Sequence, residues 1–125
     1  MCSTRWKREQ MKQCPVFSQM RQRTPKVHCL TNPVTMQDVA NVLLAAGGSA
    51  VMAQDAAEVE EITALCDATL LNTGVPSLEK FRACTLAGVR ANGLGHPVVR
   101  DPVGAGASAF RRSQLGALLE QVRPT

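Results

Sequence analysis

The residues with the clearest chemical promise lie in RDPVGAGASAF, Arg100 to Phe110. Asp101 closes an apolar run there, and Gly104 and Gly106 follow it. Glycine permits backbone angles that other residues resist, so amides of the Asp101 to Ala107 loop could turn together toward an oxyanion. A carboxylate beside such a loop can hold Mg²⁺ directly or through water, and Mg²⁺ normally travels with substrate phosphates. The lysine of a P-loop is missing from this stretch. Two plainer readings use the same residues: a tight strand-to-helix turn that holds no ligand, and an Asx hydrogen bond from Asp101 that stabilises it.

Such a loop needs elements to hold it. KVHCLTN (Lys26 to Asn32), SAVMA (Ser49 to Ala53), ATLLNT (Ala68 to Thr73) and PVVRD (Pro97 to Asp101) are short β-prone runs, each ending where polar residues begin. Helical patterns lie between them. Thr35 precedes Asp38 as an N-cap signal, Val39, Val42, Leu43 and Ala46 form one stripe, and Gly47-Gly48 ends it. Asp55 with Glu58 starts a second helix with Val59, Ile62 and Cys66 on its apolar face. A third starts at Ser77, buries Phe81, Cys84 and Gly88 and stops at Gly93. The last starts near Ser113, with Leu115, Leu118, Leu119 and Val122 on one face. Strands alternating with helices through short links predict an α/β fold with a parallel sheet, because parallel neighbours require a crossover. Ligands of such folds gather at the carboxyl ends of the strands, here TNPVT, MAQD, NTGV and DPVGAGA.

Composition narrows the function classes. The 125 residues allow one domain with a real core, at 45% hydrophobic content. Aromatic residues are only 3% and Tyr is absent, so stacking platforms for single-stranded nucleic acid are scarce. The net charge of +4 is concentrated at the start. Residues 1–27 carry seven basic side chains against Glu9 alone, whereas the remainder holds seven basic and nine acidic. A solvated arm explains that bias, with nucleic acid as an unlikely partner. Five widely spaced cysteines without a C-x-x-C pair indicate a reduced, intracellular chain. No apolar run approaches a membrane span and the start lacks a signal-peptide core, so the expected location is the cytoplasm, with no membrane partner.

VHCLTNPVTMQDVANVLLAAGGSAVMAQDAAEVEEI, ATLLNTGV and HPVVRDPVGAGASAFRR closely resemble, in order and spacing, the N-terminal half of the hydroxyethylthiazole kinase family of the ribokinase-like superfamily. The resemblance runs from about residue 20 to Thr125. It implies a three-layer α/β/α parallel sheet of ribokinase-like type, present as its N-terminal half over residues 20–125, behind a basic arm over residues 1–19. It also implies ATP-dependent, Mg²⁺-assisted phosphorylation of the alcohol of 4-methyl-5-(2-hydroxyethyl)thiazole, within thiamine salvage, in a homotrimer with active sites between subunits. By the same resemblance Asn32, Val34, Met52, Asn72 and Gly74 match thiazole-pocket positions, Asp101 matches the metal side, and Gly104 and Gly106 border the transferred phosphoryl group.

The departures are specific. The family's anion hole, catalytic cysteine and most nucleotide contacts belong to its C-terminal half, so no catalytic residue is assigned and none of the five cysteines inherits that role. Arg100 stands where the family prefers an apolar residue, and Cys14-Pro15 interrupts the family's first helix. His28 reads as a satisfied strand histidine and His96 as a loop residue. The leading expectation is half of a thiazole kinase, inactive by itself, either a fragment or one part of a split protein. A non-catalytic thiazole-binding module is the second reading. A nucleotide-binding regulator with a basic arm ranks last, since its nucleic-acid binding would have to survive physiological salt.

Overall fold

The structure is a computed structural model that describes residues 14–125. Most of the basic arm, residues 1–13, lies outside the described residues. The elements run α1 (Pro15–Arg23), β1 (Lys26–Leu30), α2 (Met36–Ala46), β2 (Ser49–Val51), α3 (Val59–Leu65), β3 (Ala68–Asn72), α4 (Leu78–Leu94), β4 (Val98–Asp101) and α5 (Ala109–Gln121). All strand pairs are parallel and the order is β2-β1-β3-β4. The α/β class and the parallel sheet are therefore as expected from the alternation of patterns.

Right-handed crossovers decide the layers. The chain moves one way from β1 to β2 and the other way from β2 to β3 to β4, so α2 lies on one face and α3 and α4 on the opposite one. Helix α4 packs against α3, α5, β3 and β4, whereas α2 packs along β2 with α1 beside it. The main core lies under α4. There Leu30, Leu71 and Val98 of the sheet meet Phe81, Cys84, Ala87 and Ala91 of α4, with Leu115 and Leu118 of α5. Val122 closes the core just beyond α5, against Gly88, where a Cβ would stand 2.5 Å from its methyl carbon. The α2 side is thinner. Val27, Leu70 and Val99 line an apolar depression of about 580 Å³ with Val39, Val42 and Leu43.

Several boundaries differ from the sequence reading, each for a local reason. Pro15 starts α1 instead of interrupting a helix, because an N-terminal position has no intrahelical use for the missing amide. That helix runs through residue 19, where the arm was expected to end. Asp55 forms an Asx turn, its Oδ1 accepting from the Ala57 amide at 2.8 Å, and the helix proper starts at Val59. Helix α4 is capped by Ser77 as expected, but it passes Gly93 and stops at the left-handed Gly95. Nothing lies near the Cβ position of Gly93, so the helix crosses it at little cost. Helix α5 starts one turn earlier than Ser113, because Ser108 Oγ accepts from the Arg111 amide at 3.1 Å. Leu119, expected in the core stripe, is 54% exposed; it lines a groove of about 420 Å³ between α5 and β4 with Leu71, Val98 and Leu118. No helix among the described residues is long and apolar enough to cross a membrane.

Candidate functional site

The carboxyl ends of β1, β3 and β4 are joined by side chains. The strand register places Asn72 opposite Asp101 and Leu71 opposite Leu30, which brings Asn32 close to Asn72. Asn32 Nδ2 donates to Asn72 Oδ1 at 3.0 Å, and Asn72 Nδ2 donates to Asp101 Oδ2 at 2.8 Å. Both asparagines are 7% exposed, so each amide must find partners inside the protein. Asn32 Oδ1 accepts from the Val34 and Thr35 amides and from the Thr35 hydroxyl, which turns there instead of capping α2. Asn72 Oδ1 accepts also from the Gly74 amide at 2.8 Å. A Cβ on Gly74 would stand 2.8 Å from Asn32 Nδ2 and 3.0 Å from Asn72 Oδ1. A side chain at this position would displace the hydrogen-bonded asparagine amides.

Asn32, Asn72, Gly74 and Asp101 are thus brought together as one hydrogen-bonded run. Val34 contributes only its amide, since its side chain is 80% exposed. Met52 is half-buried just past β2 and is reached through Thr31, whose hydroxyl lies 3.7 Å from Met52 Sδ. Gly104 has a left-handed backbone, φ 65°, and the Arg111 guanidinium packs 3.3 Å from where its Cβ would be. Gly106 has open space there, so only Gly104 is held by sterics.

Two of the loop amides are used within the loop itself. Those of Ala105 and Ala107 donate to the Pro102 and Gly104 carbonyls at 3.1 and 3.0 Å, so successive tight turns consume them. Arg111 of α5 fixes the loop instead. Its Nη1 donates to the Thr73 and Val103 carbonyls at 3.2 and 2.9 Å, and its Nη2 to Gly74 at 3.1 Å. One planar guanidinium therefore locks the loop after β3 to the loop after β4.

Arg111 and Lys80 are the main residues that sequence reasoning missed. Lys80 is buried in the first turn of α4, its ammonium donating to the Thr31 carbonyl and to Gln54 Oε1. Burial pushes its pKa below the ordinary lysine range, and nearby Cys84 offsets this in part. A start of α5 read at Ser108 would have placed Arg111 beside the glycine loop; Lys80 left no signal, because lysine is ordinarily solvated.

Burial shifts four further titratable groups. His28 is fully buried, with Nε2 2.8 Å from the Ala53 carbonyl and Nδ1 2.9 Å from Thr63 Oγ1. The carbonyl only accepts, so Nε2 carries the proton and Nδ1 accepts from the Thr63 hydroxyl. The histidine is satisfied, as its strand position suggested. Burial lowers its pKa below 6.5, against smaller opposing effects of the Ala53 carbonyl and Glu58. The unfolded histidine therefore binds a proton first, so this contribution to stability is complete above about pH 6.5 and is lost as pH falls through the lower folded value. Urea unfolding at pH 7.5 and 5 should show that loss, and His28→Gln should flatten it; an unchanged pH profile in the variant would remove His28 as its source. Burial pushes the Cys29 and Cys84 thiols up to about 11 and raises that of Cys66, so these cysteines stay protonated.

The comparisons with known proteins agree on one family. The Hydroxyethylthiazole kinase family profile matches residues 17–125. The chain belongs to the hydroxyethylthiazole kinase family. A hydroxyethylthiazole kinase of Desulfovibrio desulfuricans is 53% identical over 108 residues, covering 86% of this chain and 38% of that protein. One from Alkaliphilus oremlandii is 46% identical over 110 residues, covering 88% and 41%. The solved hydroxyethylthiazole kinase protein from Pyrococcus horikoshii OT3 superposes with a TM-score of 0.81 at 42% identity, over 85% of this chain and 42% of that one. The chain thus spans about two-fifths of the length of these hydroxyethylthiazole kinases.

Proposed function

We propose that this chain carries the alcohol-binding side of a hydroxyethylthiazole kinase, which phosphorylates 4-methyl-5-(2-hydroxyethyl)thiazole from ATP. The run from Asn32 through Asn72 to Asp101 supports this most directly. It places fixed polar groups and one carboxylate at the carboxyl ends of three parallel strands, where ligands of such sheets bind. A neutral heterocycle is well held by an apolar side chain with a few placed polar groups, and the Met52 thioether is soft enough to lie against a ring. Asn32, Asn72 and Gly74 frame that pocket, with Val34 at its rim.

Asp101 is the residue suited to Mg²⁺. Asn72 occupies Oδ2, which leaves Oδ1 for the cation or its water. No cluster of three metal-ligating side chains exists among the described residues. A single carboxylate still fits Mg²⁺, which keeps several waters and arrives on substrate phosphates. When bound, Mg²⁺ would neutralise charge on the phosphates. Gly104 and Gly106 shape the loop on the phosphate side, held by Arg111 and by Arg112, whose Nη1 donates to the Gly106 carbonyl at 3.0 Å. The family's homotrimer, with sites between subunits, belongs to the same proposal.

Met52→Ala, made in a polypeptide that joins these residues to the remainder of a family sequence, tests the pocket. Binding of the thiazole alcohol should weaken by about 1–3 kcal/mol, with little change in ATP affinity. Unchanged affinity on titration calorimetry would take Met52 out of the site.

A further inference from the structure

One ammonium organises the far side of the same site. Lys80 is 8% exposed, and its Nζ donates to the Thr31 carbonyl at the end of β1 and to Gln54 Oε1, at 2.5 Å, beyond β2. Thr31 in turn reaches Met52 through its hydroxyl. Lysine offers only donors, so chemistry alone requires the Gln54 carboxamide to present its oxygen to Lys80. The two N–H groups of Gln54 Nε2 then face away from the ammonium. Gln54 is only partly buried and lies two residues beyond Met52.

The choice of residue is informative. A buried cation is best relieved by a carboxylate, yet both of these acceptors are neutral. Glutamate at position 54 would neutralise Lys80. Glutamine instead leaves the charge uncompensated and keeps a donor on its outer side.

We propose that Gln54 is a ligand-binding donor of the strand-end site: its carboxamide N–H groups receive a hydrogen-bond acceptor of the small uncharged ligand that lies on Met52, and Lys80 is the positioning residue that fixes the carboxamide. This rests on the thiazole-binding reading above. Lys80 sets both walls of the pocket, holding Thr31 against Met52 on one side and orienting Gln54 on the other.

Gln54→Glu separates this role from a structural one. The new carboxylate pairs with Lys80, so Tm should rise by about 4 °C. The donor is lost, so affinity for 4-methyl-5-(2-hydroxyethyl)thiazole should fall about tenfold or more on titration calorimetry. A merely structural glutamine predicts the rise in Tm with unchanged affinity, which would overturn the proposal. Repeating the titration with 5-ethyl-4-methylthiazole identifies the acceptor: a persisting loss assigns the ring nitrogen, and a vanished loss assigns the hydroxyl oxygen. Side-chain amide NMR supplies a readout that needs no ligand. The Gln54 amide pair should be rigid in the unaltered chain and mobile in Lys80→Met. If the unaltered chain binds no thiazole, the pocket reading fails, while the amide spectrum still judges the orientation; a Gln54 pair as mobile as that of an exposed glutamine would overturn it.

Discussion

Replacing Asp101 by Asn should lower turnover by about 10²–10³-fold while thiazole affinity changes little, the scale of losing one preorganised charge-stabilising group. The asymmetry follows from where Asp101 sits. It lies at the end of β4, outside the asparagine pair, where on the proposed reading it would act on transferring charge rather than on the ground-state ring. The fold should survive, because an amide oxygen at position 101 can still accept from Asn72 Nδ2. The measurement is steady-state kinetics against Mg²⁺ concentration, on a polypeptide that joins these residues to the remainder of a family sequence. Full turnover with ordinary Mg²⁺ dependence would reduce the loop after β4 to a turn.

A polypeptide of residues 1–125 taken by itself should phosphorylate nothing. Transfer to an alcohol needs a base near the hydroxyl, an anion site for the γ-phosphate and a cleft for the nucleotide. Several candidate groups among the described residues are committed elsewhere. His28 has both ring nitrogens engaged, Cys29 and Cys84 are held protonated, and Lys80 is enclosed by Thr31 and Gln54. The Ala105 and Ala107 amides, which the glycine loop promised to an oxyanion, are used within turns. Purified chain releasing ADP in the presence of both ATP and thiazole, with mass spectrometry excluding a co-purified kinase, would defeat this expectation and point to Asp101 as the base.

How much of this was legible depended on the range of each interaction. Strands and the Ser77 cap are local, period-two runs and short-range hydrogen bonds, and they fell within two residues of where the sequence placed them. Asn32 reads as a turn residue, and it is one; that it also spans to Asn72, 40 residues on, no local pattern can express. Gly93 and Gly95 are equally plausible stops on paper, and only the left-handed backbone at Gly95 separates them. Arg100, standing where the family prefers an apolar residue, lies on an edge strand of the described sheet, partly exposed, with Nη1 buried and unpartnered beside the α5 groove. Lys80 was invisible because its burial depends on three segments meeting above it.

The strand order has a consequence for synthesis on the ribosome. After β2 joins one side of β1, every later strand is added at the opposite edge, β3 on β1 and then β4 on β3. A nascent chain that emerges at about 5–20 residues per second can therefore build this sheet vectorially, each strand docking on a neighbour already outside the exit tunnel. The hydrogen-bonded run grows in the same direction. Asn32 emerges first, Asn72 joins it when β3 docks, and Asp101 completes it as the last residue of β4. The run is thus assembled in the order in which it is translated.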